Sequence, residues 1–300
     1  MKDKTNLFDY FNYLILSVMA LSMVYPFIYV LFTSISDRYA IVQGLTKMYP
    51  SGINFRAYQM VLMEPRLLRA YFNSALYAST ATITMILVTS IVAYPLSQKR
   101  MKFKKFIALY YVMTMFLSGG MIPTYLLYSK LGLVNNMLIM VLPGALGIYN
   151  LMMFKTYFEN TIGPELVESA FMDGANDLYI LFKIMLPLSK PIMAALGLFM
   201  FVGVWNNFFT PLIYLNKEKL QPLTIILRRL LIELDYRNLA VQAALDRYDA
   251  VLGEIERKDV VPQQAFRGAS IIVTILPITM IYPFLQKYFV KGIMLGSLKG

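Results

Sequence analysis

Half of this 300-residue chain lies in six blocks that contain no charged residue, and that pattern limits the folds open to it. The blocks are Tyr10–Ser36, Ala70–Gln98, Phe106–Ser129, Leu131–Phe154, Pro191–Asn216 and Gly268–Gln286, with 27, 29, 24, 24, 26 and 19 residues. Crossing the hydrocarbon core of a bilayer takes about 20 apolar residues in a helix, because lipid offers backbone N–H and C=O groups no other partner. An all-α membrane protein with six transmembrane helices is expected. A composition that is 58% hydrophobic, with a mean hydropathy of +0.57, argues against soluble domains. The first block is too long for a signal peptide, and the polar loop after it has no small-residue cleavage site, so it is expected to stay.

The chain has neither Cys nor His. That excludes a disulfide framework, a thiol nucleophile, a catalytic imidazole and the common transition-metal sites, so no metal ligand and no catalytic residue is assigned. A net charge of +11 raises the question of nucleic acid. The excess is local, however. Lys99, Arg100, Lys102, Lys104 and Lys105 share one short loop, and Lys287, Lys291 and Lys299 lie in a tail without acids. In a membrane protein these read as topology signal and lipid headgroup contact, with no nucleic-acid partner. Only Lys130 separates the third and fourth blocks. The basic loop between the second and third is therefore expected in the cytoplasm, and six crossings bring both termini to the same side.

Three longer polar segments remain. Asp37–Arg69 and Lys217–Arg267 are external on this topology, and Lys155–Lys190 is cytoplasmic. In the second external segment Leu227, Leu230, Leu231 and Leu234, then Leu239, Ala243 and Leu252, repeat at helical spacing, which predicts a small folded cap. Pro26, Pro123, Pro143, Pro211, Pro277 and Pro283 fall within or near the blocks and are expected to kink helices at packing contacts.

The blocks themselves hold no ionisable group, whereas ion-coupled transporters and pumps usually carry such groups inside the membrane. A G-x-x-x-x-G-K-[ST] phosphate loop is also missing. A passive pore, a scaffold, a membrane enzyme, or a pathway subunit driven by a partner is left.

The cytoplasmic segment separates these. Pro164 suits a first helical turn, with Glu165 and Glu168 favourable near its N-terminus. Leu166, Val167, Ala170 and Phe171 form one apolar stripe, while Glu165, Glu168, Ser169 and Asp173 face away. Gly174 suits a helix C-terminus, and Asn176 or Asp177 can cap a second helix running to Leu186. An amphipathic helix–turn–helix with an acidic polar face is a poor fit to anionic lipid and favours a protein partner.

This segment resembles the signature E-A-A-x3-G-x9-I-x-L-P of inner-membrane permease subunits of ABC importers. Glu168, Ser169 and Ala170 stand for E-A-A, and Gly174, Ile184, Leu186 and Pro187 fall at the required spacings; Ser169 for Ala is the one departure. Asn54-Phe55-x-x-Tyr58, Phe72-Asn73-Ser74 and Lys287-Tyr288-Phe289-Val290-Lys291-Gly292 are similar to permeases of the maltose-type carbohydrate group. Leu117-Ser118-Gly119-Gly120-Met121-Ile122-Pro123-Thr124-Tyr125 and Trp205-Asn206 look closer to its oligosaccharide and polysaccharide branch.

The resemblance implies a type I importer fold. It divides the chain into 1–69 (tail, first helix, external loop), a permease core 70–290 with a coupling segment 163–187 and external loop 217–267, and a cytoplasmic tail 291–300. The coupling helix, carried by Glu165, Glu168, Ser169, Ala170, Phe171, Asp173, Gly174, Ile184 and Pro187, would dock in an ATPase cleft. The implied partners are a second, distinct but homologous permease, two ATPase subunits, an extracellular solute-binding protein, a carbohydrate substrate and the bilayer of a bacterial cell membrane. No cofactor binds this chain; ATP and Mg belong to the ATPases.

For the pathway, Trp205-Asn206-Asn207 lies about 21 Å along its helix, past the middle of the apolar core. An indole beside two amides offers a stacking face and polar edges to a sugar; interhelical hydrogen bonding and aromatic packing are the alternative. Adjacent residues diverge by about 100°, so one amide at most faces the pathway. Gly119 and Gly120 with Tyr125 form a second candidate wall, or a close-packed kink. Rival readings are a permease for another solute such as glycerol phosphate, a passive channel or scaffold, and a membrane hydrolase. The last needs a carboxylate pair, whereas Glu233, Asp235, Asp246 and Asp249 are interleaved with Arg.

Overall fold

The computed structural model describes residues 7–46, 49–245 and 261–297. Its helices are α1 (Leu7–Ile35), α2 (Arg38–Val42), α3 (Arg56–Met63), α4 (Pro65–Ser97), α5 (Lys104–Thr114), α6 (Met121–Lys130), α7 (Ile148–Thr161), α8 (Pro164–Met172), α9 (Asp177–Leu188), α10 (Lys190–Trp205), α11 (Phe209–Tyr214), α12 (Leu223–Leu245) and α13 (Gln263–Ser297). Among the described residues, β structure is limited to one antiparallel bridge between Ser36 and Ile53.

The chain divides into two compact units. The first comprises Met1–Leu68 and Ile226–Leu276. None of the described residues covers the apolar centre of α1, whose Phe11, Leu14, Val18, Leu21 and Phe27 are all exposed. A helix apolar on every face belongs in lipid or against another apolar surface. Its last turn is tied down by Ser34 Oγ and Tyr58 Oη at 2.8 Å and by Asn54 N donating to Ile35 O at 2.8 Å. A Cβ at Gly268 would lie 2.9 Å from the Val30 carbonyl oxygen, so only glycine admits this approach of α13 to α1. Arg66 bridges Glu64 at 2.7 Å and Glu233 at 3.1 Å, and Arg267 reaches Asp235 at 3.7 Å. The Arg66 hydrogen bond holds the Glu64 carboxyl below its ordinary range despite partial burial. Glu233 and Asp235 thus face arginines on the helix surface; Asp246 and Asp249 lie outside the described residues.

The second unit comprises Arg69–Ile225 and Pro277–Gly300. Its core gathers Met85, Ala93, Tyr94 and Leu96 of α4 with Leu151, Phe154 and Phe158 of α7, Val167 and Ala170 of α8, Ile180, Leu181 and Met185 of α9, and Leu196 of α10. Ala78, Ala81, Thr89, Ser90 and Ala93 keep the buried face of α4 small, which lets helices pack closely in an apolar setting. At the other end of α4, Asn73 Nδ2 donates to Lys219 O (2.9 Å) and Gln221 O (3.1 Å), and Tyr77 Oη to Leu220 O (2.9 Å). Leu223 N donates to Ser74 Oγ at 2.9 Å. The Phe72-Asn73-Ser74 motif therefore fixes the entry to α12.

Among the described residues α1 and α4 are the single helices long and apolar enough to cross a membrane, and α9 with α10 joins them as a pair bent by 80°. The blocks expected to be continuous are interrupted for local reasons. In Phe106–Ser129 the helix stops at Thr114 and resumes at Met121, after Gly120 takes φ 81°. Glycine weakens a helix by about 1 kcal/mol relative to alanine, so Gly119-Gly120 keeps the helix from resuming before Met121. In Leu131–Phe154, positive φ at Gly132 and Asn135, a 3-10 turn at Met137–Met140 and Pro143 delay the helix until Ile148. Pro191–Asn216 breaks between Trp205 and Phe209. Pro26, Pro277 and Pro283 lie inside long helices. The predicted cap is the 23-residue α12, reached by its first leucines; Leu252 lies outside the described residues.

Candidate functional site

The hairpin made by α8 and α9 is built from its own sequence. Gly163 leads in extended, Pro164 occupies the first turn, and Glu165 sits where the helix N-terminus favours an acid. At the far end Gly174 N donates to Phe171 O (3.0 Å) and Ala175 N to Ala170 O (2.9 Å), with Gly174 at φ 82°. This is a Schellman closure, which requires the left-handed conformation that glycine adopts freely. Asn176, not Asp177, caps α9: its side chain accepts from Tyr179 N at 2.8 Å. Ile180–Met185 then widens into a π turn, ahead of Pro187, which has no N–H to continue the ladder. Ser189 closes the bend, with Ser189 Oγ donating to Met185 O at 2.7 Å.

One face of the hairpin is core and the other is free. Val167 and Ala170 are buried, and Phe171 and Ile184 pack half-buried against the same cluster. Glu165, Glu168, Ser169, Asp173, Gly174 and Pro187 are exposed. Leu166, expected in the buried stripe, is 45% exposed instead, since it lies about 100° around the helix from the buried Val167; Met172 is 89% exposed. With Leu178 and Tyr179 also outward, the open surface mixes apolar side chains with acids.

Asp177 has another role. Its Oδ1 accepts from Tyr94 Oη at 2.8 Å and pairs with the Arg100 guanidinium, which lies 4.1 Å over the Phe171 ring. Nearby, Glu159 bridges Lys155 (2.7 Å) and Lys104 (3.2 Å). Burial works to raise the Glu159 carboxyl, but the two ammonium groups outweigh it and hold it low. Burial pushes the Tyr157 hydroxyl up. Sequence spacing gave no sign of the Arg100–Asp177 pair, whose members are 77 positions apart. Asn135 was missed too: at φ 58° it receives Asn216 N (2.7 Å) and Lys217 N (3.0 Å) on Oδ1. Its one sequence cue is the Gly-x-x-Asn-Asn run, since asparagine tolerates that conformation.

The pathway candidates fall into two groups. Trp205 is 1% exposed, with Tyr71 edge-on at 5.5 Å and Phe201 stacked at 5.9 Å, and its indole N–H has no partner among the described residues. Asn207 is occupied by Thr210, donating to its Oγ1 (3.0 Å) and accepting from its N (3.1 Å), whereas Asn206 is exposed. Gly119 and Gly120 are exposed at the helix break, and Tyr125 stacks on Tyr214 at 5.6 Å. Among the described residues no ring pair joins the Trp205 group to the Tyr125 group.

Long apolar helices with a structured hairpin between α7 and α10 define a membrane permease subunit. The family model for the inner membrane component of binding-protein-dependent transport systems matches residues 85–295, and the chain belongs to this family of integral membrane proteins. It is similar to Protein LplC of Bacillus subtilis, 34% identical over 98% of this chain and 95% of the relative. The polygalacturonan/rhamnogalacturonan transport system permease protein YtcP of the same organism is 34% identical over 99% of this chain and 100% of its own length. Among solved structures, a bacterial ABC transporter involved in the import of the acidic polysaccharide alginate matches with a TM-score of 0.81 and 31% identity, covering 94% of this chain and 96% of that one.

Proposed function

We propose that this chain is the transmembrane pathway subunit of an ATP-driven importer of oligosaccharides or related carbohydrate. The observation that carries the reading is the α8–α9 hairpin: an exposed acidic and apolar face mounted on a core shared with α4, α7 and α10. A partner that pushes this face moves packed helices, because a close-packed core transmits displacement. ATPase subunits dock on Glu165, Glu168, Ser169, Asp173 and Gly174, while Ala170, Phe171, Ile184 and Pro187 hold the segment in shape. ATP and Mg act on those partners, and the chain supplies no catalytic group. Closure of the ATPases drives alternating access.

On this reading the chain crosses a bacterial cell membrane six times with both termini cytoplasmic. Three of the crossings are interrupted or bent helices, which membranes tolerate where the opened backbone faces protein or a water-filled cavity. The chain pairs with a second, homologous permease and receives sugar from an extracellular binding protein. Relatives named for polygalacturonan and alginate transport support a carbohydrate substrate. Asn206, Gly119, Gly120 and Tyr125 line the route, with Trp205 and Asn207 shaping the wall behind Asn206. The test is co-purification from the native membrane followed by reconstitution. Binding protein with sugar should stimulate ATP hydrolysis of the assembly, and an assembly containing no ATPase subunit would end the proposal.

A further inference from the structure

Five cations crowd Lys99–Lys105, yet the structure uses only two of them internally: Arg100 with Asp177 and Lys104 with Glu159. Lys99, Lys102 and Lys105 are exposed and make no ion pair among the described residues. Asp177 and Glu159, which reach this loop from α9 and α7, are already engaged by Arg100 and by Lys104 with Lys155. Between them Phe103 is 79% exposed at a left-handed backbone position, φ 59°. Phe106, Leu109, Tyr110 and Met113 continue from it as one exposed stripe along α5, whose other face (Ile107, Tyr111) packs on the core. Apolar residues at this spacing form a single stripe. The stripe starts at the free lysines.

We infer that this surface is a binding site for an anionic phospholipid. Lys99, Lys102 and Lys105 hold the phosphate headgroup, Phe103 and Phe106 enter at the headgroup boundary, and the acyl chains lie along α5. Cationic side chains at the end of an apolar helix face match a lipid that is anionic at one end and apolar along its length. A zwitterionic lipid matches the stripe but not the net charge. An acidic protein surface matches the lysines but leaves Tyr110 and Met113 uncovered. The neighbouring α8 face is acidic, so one docked protein would have to oppose both signs at once.

The test uses the full-length chain purified in detergent and presented with equimolar dioleoylphosphatidylglycerol and dioleoylphosphatidylcholine, with retained lipid counted by native mass spectrometry. Phosphatidylglycerol should be retained in preference. Each Lys→Gln change at 99, 102 or 105 should weaken its retention on the order of fivefold, while Lys130→Gln leaves it unchanged. Equal retention of the two lipids overturns the assignment, as does a preference that survives the triple substitution. If the triple variant misfolds, the wild type still decides. Its preference must fade in 1 M salt, where charges are screened beyond about 3 Å, and a salt-insensitive preference overturns the site. Loss of a co-purifying protein with lipid retention unchanged gives the surface to that protein instead.

Discussion

Arg100 and Asp177 are 77 positions apart and form an ion pair, and the same guanidinium lies 4.1 Å over the ring of Phe171. One side chain therefore grips both arms of the hairpin, α8 through Phe171 and α9 through Asp177. Tyr94, on α4, adds a hydroxyl to the same carboxylate oxygen at 2.8 Å. Both partners of the ion pair are 52% exposed, so it contributes no more than about 1 kcal/mol to folding, and the cation–π contact about 0.5–1 kcal/mol. Its importance is in register. Arg100→Ala should lower stability by no more than about 2 kcal/mol and lower the sugar transported per ATP hydrolysed. Arg100→Lys keeps the charge without the planar stacking and should fall between. Normal transport per ATP in Arg100→Ala would show that the clamp has no part in coupling.

Gly174 provides a sharper test of the hairpin. No atom lies within 4 Å of where its Cβ would stand, so a substitution there meets only the backbone requirement of φ 82°. Leaving the left-handed region to a β-branched residue costs about 1–2 kcal/mol or more. Gly174→Val should insert normally but abolish transport and sugar-stimulated ATP hydrolysis, while Gly174→Asn, which tolerates this conformation, should retain most of both. Equal behaviour of the two variants would disconnect the closure from function.

Much of the hairpin was legible because its determinants are local: Pro164 at a first turn, Gly174 at a closure, Asn176 at a cap. Each acts within four residues, the range over which sequence pattern speaks. The charge-free blocks likewise revealed the apolar helices, but not where they break. Gly119-Gly120, Asn135 and Pro143 interrupt blocks whose composition alone reads as continuous. Asn73, bonded to the carbonyls of Lys219 and Gln221, was visible only as part of a resemblance, because its partners are 146 and 148 positions away. Arg100 was read as topology signal, since nothing within its own loop announces Asp177.

The Lys155–Glu159–Lys104 bridge sets an acid limit on this unit. Glu159 has a lowered pKa in the folded chain, so the folded state binds its proton more weakly than the unfolded state. The bridge's stabilisation is therefore complete above the ordinary carboxylate range and is lost as pH falls through the depressed folded value. Glu159→Gln removes the titrating group and should flatten the acid limb of a thermal-stability profile below the ordinary carboxylate range, about pH 4. An unchanged acid limb in that variant would mean that other carboxylates govern it.

Because the chain has no cysteine, its topology can be read with single introduced thiols. Ser51→Cys should react with an impermeant thiol reagent in intact cells, and Ser169→Cys only after the membrane is opened. The reverse labelling pattern would invert the orientation inferred from Lys99–Lys105.

Trp205 and Asn206 are neighbours with opposite exposures, and that separates packing from sugar contact. Trp205 is buried between Tyr71 and Phe201, so Trp205→Leu removes aromatic contacts from a filled site. Large-to-small changes in a core cost about 2–5 kcal/mol. Here the indole N–H has no partner among the described residues, so its removal also relieves an unsatisfied donor worth about 1–3 kcal/mol. The net expectation is a moderate loss of thermal stability, with the sugar dependence of transport per folded molecule unchanged. Asn206 is exposed, and Asn206→Ala should leave stability in place. A lost hydrogen bond of about 0.5–1.5 kcal/mol then predicts a roughly two- to tenfold weaker sugar dependence. Both quantities are measured on the same purified assembly. Weakened sugar dependence in Trp205→Leu with stability intact would instead mean that the indole itself meets the sugar in another state of the transport cycle. Unchanged sugar dependence in Asn206→Ala and Trp205→Leu alike would move the pathway away from α10.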